Sequence, residues 1–243
     1  MTRLQLKRWS EPTTDDLSGS LITVADPRGA ASEEYRSLRT SLLYSLVDTP
    51  PKVVVVTSAG PSEGKSRTCA NLGVVLAQVD KQTLIVDCDM RKPTIHKIFG
   101  LRNLRGLVNV LAGEHGLHDV CQEALPGLKA ITTGPVPPNP AELLSSRRFT
   151  ELLNQAREEF DYVLLDVPPV AAVSDPAIAA TQADGVLLVI DSQSTRKGSV
   201  RQAMHSLEGV GANVLGTVMN NVKASKGTYY YRYSYAYGGK SGG

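Results

Sequence analysis

Val53-Val54-Val55-Val56-Thr57 runs directly into Ser58-Ala59-Gly60-Pro61-Ser62-Glu63-Gly64-Lys65-Ser66, and a helical pattern follows over Lys65–Val79. A continuous β-branched run of strand length implies burial on both faces. The eight residues Ala59–Ser66 fit G-x-x-x-x-G-K-[ST] with Ala59 in the first position, in the strand–loop–helix setting that a phosphate loop requires. Loop amides and the helix N-terminus can cradle phosphates. Gly60, Pro61, Ser62, Glu63, Gly64, Lys65, Ser66 and Arg67 therefore form the expected nucleotide-binding segment, with Lys65 on the β/γ-phosphates and the Ser66 hydroxyl on Mg²⁺.

Outward from this loop, strands and helices alternate. Thr83–Asp87, Leu128–Thr132, Tyr162–Asp166, Val186–Ile190 and Val214–Asn220 read as strands. Ile95–Phe99, Leu107–Leu111, Ala141–Leu144, Phe149–Glu159, Asp175–Thr181 and Lys197–Leu207 read as helical pieces. The expected fold is α/β, a doubly wound, mostly parallel sheet of P-loop NTPase type, like the Min and partition ATPases. Residues 32–222 form its domain, beginning with a Ser32-capped amphipathic helix over 32–47 whose apolar residues are Tyr35, Leu38, Leu42 and Leu43. Residues 1–31 read as a flexible arm and 223–243 as a flexible tail.

Two further strand ends are acidic. Asp87-Cys88-Asp89-Met90-Arg91 follows one apolar run, and Asp166-Val167-Pro168-Pro169 follows another. Parallel strands bring such ends to one sheet edge, where ligands bind. Asp87, Asp89 and Asp166 are expected to converge beside Lys65 and Ser66, holding Mg²⁺ directly or through water and accepting a proton.

Composition narrows the partners. A net charge of +2 gives no case for nucleic acid. No run approaches the ~20 apolar residues of a membrane span. Cys69, Cys88 and Cys121 show no paired spacing, which suits reduced thiols and a cytosolic setting. His115 and His118 lack a third ligand and read as surface loop. Six of the nine tyrosines crowd the end of the chain, at Tyr229, Tyr230, Tyr231, Tyr233, Tyr235 and Tyr237.

With these motifs together the chain resembles the bacterial protein-tyrosine kinases of capsular and exopolysaccharide biosynthesis. That family combines a Walker A loop, a second motif D-x-D-x-R (here Asp87–Arg91) and a Walker B motif ending D-x-P-P (here Asp166–Pro169). The resemblance extends to Glu33-x-x-Arg36-x-x-Arg39, to Gly134–Leu144 and to the tyrosine tail. It implies ATP and Mg²⁺ as cofactors. Lys65, Asp87, Asp89, Arg91 and Asp166 would be catalytic, Ser66, Asp89 and Asp166 would lie at the metal, and Asp87 would orient or deprotonate the incoming tyrosine hydroxyl. Asn220 resembles the adenine-contacting Asn of related ATPases and is expected at the nucleotide; a turn role beside Asn221 is the alternative.

Glu33, Arg36 and Arg39 would join subunits into a homo-oligomeric ring that offers one subunit's tail tyrosines to its neighbour. The resemblance further implies regulation of polysaccharide synthesis or export, protein substrates in that machinery, and an opposing phosphotyrosine phosphatase. A separate membrane activator with a cytoplasmic segment would hold the chain at the inner membrane face. Two alternatives share much of this pattern. One is a partition or septum-positioning ATPase, which usually has a lysine where Gly60 stands and no tyrosine cluster. The other is a non-enzymatic, nucleotide-dependent scaffold of polysaccharide assembly.

Overall fold

A computed structural model describes residues 20–45 and 50–223. Its sheet has seven strands: β1 (Val53–Ser58), β2 (Thr83–Asp87), β3 (Cys121–Leu125), β4 (Leu128–Ile131), β5 (Tyr162–Asp166), β6 (Gly185–Asp191) and β7 (Val214–Asn220), in the order β3-β4-β2-β5-β1-β6-β7. The neighbours are parallel except β3 against β4, which is antiparallel. The phosphate-loop strand β1 is thus flanked by β5 and β6, with covered faces on both sides.

Period-two alternation distributes one apolar run between two cores. Val53 and Val55 face a layer with Phe149, Leu153 and Leu207, whereas Val54 and Val56 face one with Leu72, Val75 and Leu76. The second layer contains α1 (Ile22–Ala25), α2 (Ala30–Leu43), α3 (Lys65–Ala77) and α4 (Ile95–Phe99). The opposite layer contains α5 (Leu107–Ala112), α6 (Leu117–Val120), α7 (Pro140–Leu144), α8 (Arg147–Glu159), α9 (Asp175–Ala180) and α10 (Lys197–Glu208). The start of β1 is pinned by Asp184, whose Oδ2 accepts from the Lys52 and Val53 amides, both at 2.8 Å, and from Arg157 at 2.7 Å.

The N-terminal side departs from expectation. Residues 20–24, expected in the arm, pack against α3, while Ala25–Arg28, Ala30 and Ala31 stay exposed. Leu21 and Thr23 are each 1% exposed, and α2 begins at Ala30, after an extended Gly29. Ser32 does not cap the helix; its hydroxyl donates to Ile22 O and Asp26 O and ties α1 to α2. The socket for this segment is Asn71, fully buried on α3. Asn71 Oδ1 accepts from Thr23 N (3.1 Å) and Thr23 Oγ1 (2.8 Å), while its Nδ2 donates to Ser20 O and Arg67 O, both at 2.8 Å. Residues 1–19, the end of the expected 32–47 helix and the tyrosine tail lie outside the described residues.

Buried polar groups left without partners cost about 1–3 kcal/mol each. Asn71→Ala orphans several at once, so it is expected to destabilise the chain by about 2–4 kcal/mol, measured as a fall in urea midpoint. Leu125 and its neighbours explain why β3 escaped the sequence reading. Cys-Gln-Glu-Ala-Leu is a partly exposed edge strand with a register irregularity and no apolar run.

Candidate active site

The loop between β1 and α3 has the backbone its sequence requires. Gly64 lies at φ +91°, in the left-handed region that favours glycine, and a Cβ there would stand 2.5 Å from Asn220 Nδ2. Ser62 also has positive φ, at 62°. Ala59 is fully buried, and its amide approaches Val189 O at 3.4 Å, so a small apolar first residue suits the position. Ser58 Oγ donates to Gly60 O at 2.7 Å and tightens the turn.

Lys65 opens α3, and the acidic strand ends meet it. Its Nζ lies 2.8 Å from Asp89 Oδ2, 3.1 Å from Asp166 Oδ1 and 3.1 Å from Ser66 Oγ. Asp87 and Asp166 are register partners at the ends of β2 and β5. Sheet topology therefore assembles from three distant segments the constellation that motif spacing suggested.

Electrostatics follow from burial. Asp87 and Asp166 are both fully buried. Burial, reinforced by the Asp166 carboxylate, pushes Asp87 up to about 8, against the Ile95 amide and Lys65. Burial also raises Asp166, opposed by Lys65 and Ser66. For Lys65, burial works to lower the pKa, but the Asp166 and Asp89 carboxylates outweigh it and hold the ammonium above its ordinary range.

The donor set fits Mg²⁺. Asp166 Oδ2 is buried with no hydrogen-bond partner, beside the Ser66 hydroxyl and Asp89. Among the described residues no group of three or more His, Cys, Asp or Glu could hold a metal alone. Mg²⁺ at a phosphate site takes one or two protein oxygens and completes its shell with phosphates and water.

Other site residues have roles that the sequence did not show. Asp87 does not line the open groove. Its oxygens accept from the amides of Asp89 (3.2 Å), Thr94 (3.1 Å) and Ile95 (3.1 Å), which shapes the loop after β2. The expected catalytic Arg91 instead forms a two-pronged pair with the fully buried Asp175 of α9, Nε–Oδ2 3.0 Å and Nη2–Oδ1 3.2 Å. That contact fastens the loop after β2 to the segment after β5, with Arg91 still bordering the groove.

Asn220 reaches the phosphate loop, with Nδ2 donating to Glu63 O (2.9 Å) and Thr68 Oγ1 (3.2 Å). Glu33 and Arg36 form an i,i+3 pair on α2, and Arg36 also reaches Pro27 O. Arg39 Nη1 donates to Val75 O at 2.9 Å, joining α2 to α3 within the chain. Asp175 and Thr195 escaped the sequence reading, having no motif to announce them.

Comparison with known proteins gives the family and the fold. A family model described as ParA, NUBPL iron-transfer P-loop NTPase, matches residues 49–230. The tyrosine-protein kinase YwqD of Bacillus subtilis is 42% identical over 212 residues, 87% of this chain and 90% of its own length. The solved chimerical protein CapA2B2 superposes with a TM-score of 0.81 at 36% identity, covering 84% of this chain and 91% of that one. The kinase domain of the Escherichia coli tyrosine kinase ETK superposes with a TM-score of 0.79 at 33% identity, covering 92% and 87%. With the sheet order, the phosphate loop and the Asp87–Asp89–Asp166 cluster in place, these likenesses put the chain in the family of bacterial tyrosine-protein kinases built on a ParA-type P-loop domain.

Proposed function

We propose that the chain transfers the γ-phosphoryl group of ATP to the tyrosines of its own C-terminal cluster, Tyr229 to Tyr237, in a neighbouring copy of itself. The observation behind this reading is the Lys65–Asp89–Asp166 arrangement at the wall of a large groove. The groove holds about 2640 Å³ between α2, the phosphate loop and residues 217–223. The groove is open to solvent and runs from the phosphate loop along α2, so a segment of another chain can reach the Lys65 end.

In the transfer, the phenol oxygen attacks the γ-phosphorus and the bond to the β–γ bridging oxygen breaks. Lys65 turns from the carboxylates to the phosphates, and the loop amides hold the β-phosphate as negative charge moves onto it. Asp87 lies behind the groove wall, so in this reading the loop after β2, whose Asp89, Thr94 and Ile95 amides it now holds, opens to let it orient or deprotonate the phenol, and burial keeps its proton affinity raised. Mg²⁺, held by Ser66 and Asp166 with Asp89 nearby, would supply neutralising charge at the phosphates.

Glu33 and Arg36 face outward on α2, at 72% and 28% side-chain exposure, and in this reading join copies into a ring. Each added phosphate contributes about −1.5 to −2 charges, so a full tail gains ~−9 to −12 and disfavours that ring. No helix among the described residues is long and apolar enough to cross a membrane. We place the chain at the inner membrane face through a separate membrane activator, in control of capsular or exopolysaccharide synthesis and with a phosphatase opposing it.

The test mixes two variants in Mg·ATP and reads phosphotyrosine by size-resolved blotting. One is Lys65→Met with an intact tail; the other is active with all six tail tyrosines replaced by Phe. Labelling of the Lys65→Met chain in the mixture is expected. A wild-type chain that labels itself while the mixture stays blank would reject transfer between copies.

A further inference from the structure

The phosphate loop is held from outside by a contact that neither its motif nor the catalytic cluster explains. Glu63, in the loop itself, is 5% exposed. Its Oε1 accepts from Thr195 Oγ1 at 2.5 Å, and its Oε2 is buried with no partner. Thr195 lies between β6 and α10, and its hydroxyl also accepts from Asp191 N at 3.0 Å. Asp191 is itself fixed: Oδ1 accepts from the amides of Gln193 (2.7 Å) and Ser194 (3.1 Å), and Oδ2 from Asn221 Nδ2 (2.5 Å). The circuit closes through Asn220, whose Nδ2 donates to Glu63 O at 2.9 Å.

Glu63 is therefore gripped twice, at its carbonyl from the end of β7 and at its carboxylate from the loop after β6. Both grips act beside Ser62 and Gly64, the loop's two positive-φ residues. A non-glycine residue at positive φ persists only where its surroundings over-determine it. The loop amides bind phosphate well only if that shape exists beforehand, because binding otherwise includes the cost of ordering it.

We propose that Thr195 is a positioning residue for nucleotide binding, its hydroxyl holding Glu63 so that the phosphate loop is preformed against the ends of β6 and β7. This rests on the nucleotide reading of the site given above. Thr195 touches no phosphate in this arrangement. Its loss leaves the Asp89–Lys65–Asp166 cluster in place and acts on the binding of nucleotide rather than on transfer.

The experiment titrates the full chain with Mg·ADP by calorimetry and measures the ATP dependence of phosphotyrosine formation. Thr195→Val, which keeps the shape and removes the hydroxyl, is expected to raise Kd and KM about three- to tenfold, with kcat within about twofold. Thr195→Ser is expected to restore parental affinity. Adding Thr195→Val to Glu63→Ala is expected to weaken binding no further, because one contact is already gone. If the Val variant does not fold, Thr195→Ala is held to the same outcomes. Parental affinity in Thr195→Val, additive effects in the double variant, or a fall in kcat at constant KM would overturn the proposal. A parent chain that binds no Mg·ADP would instead remove the nucleotide reading itself, and this inference with it.

Discussion

Lys65→Met is expected to lower phosphotyrosine formation by about 10²- to 10³-fold or more, the usual effect of deleting one preorganised group at developing transition-state charge. The same change has a structural consequence. Lys65 is 11% exposed and is the cation shared by Asp89 and Asp166, at 5% and 0%. Removing one partner of a buried pair costs about 3–5 kcal/mol when a charge is left uncompensated. Here the raised pKa of Asp166 lets that carboxyl take up a proton and avoid part of the cost. Thermal unfolding and nucleotide titration should accompany the assay. The expected result is a folded chain of somewhat lower stability, weakened Mg·ATP binding and no labelling above background in isolation. Labelling within about tenfold of the parent would remove Lys65 from the transfer step.

The parts legible in the sequence were those with short-range physics. Val53–Val56 and Tyr162–Asp166 advertise double-sided burial by composition alone, and the Gly64-Lys65-Ser66 turn needs only its local backbone. Parallel pairing then forces Asp87 and Asp166 to one edge, so the cluster followed from topology without a structure. The illegible parts depend on distant partners. Leu21, Ile22 and Val24 stand next to Asp26, Pro27 and Gly29, too short an apolar run to declare a core element, and the packing of this segment depends on Asn71, 48 positions beyond Thr23. Arg91 meets Asp175 across 84 positions, and Thr195 meets Glu63 across 132. No periodicity or spacing encodes such contacts, which arise only where the sheet edge gathers its loops. Cys121–Leu125 failed for a different reason, since an edge strand with one register irregularity needs neither a continuous apolar run nor strict alternation.

Asp87→Asn is expected to separate transfer from binding. Removing a proton acceptor typically costs about 10²- to 10⁴-fold in rate. The Asn side chain keeps one oxygen for the Thr94 and Ile95 amides, so the loop after β2 retains its main anchor and Mg·ADP affinity should change little. Proton linkage supplies an independent check. Asp87 stands near 8 in the folded chain against about 4 unfolded, so the native state binds the extra proton between these values. Its contribution to stability is complete below about pH 4 and is lost as pH rises toward 8. Without metal or nucleotide, the parent should lose thermal stability between pH 6 and 8.5 more steeply than Asp87→Asn, which cannot ionise. The rate has the opposite sign, because the ionised carboxylate is the acceptor. Accordingly kcat/KM for the parent should rise with pH while Asp87 ionises, and the variant's profile should lack that rise. Activity in Asp87→Asn within about threefold of the parent, at matched nucleotide saturation, would transfer the role to another group. Asp89, which borders the groove and faces Lys65 at 2.8 Å, would be the next to test.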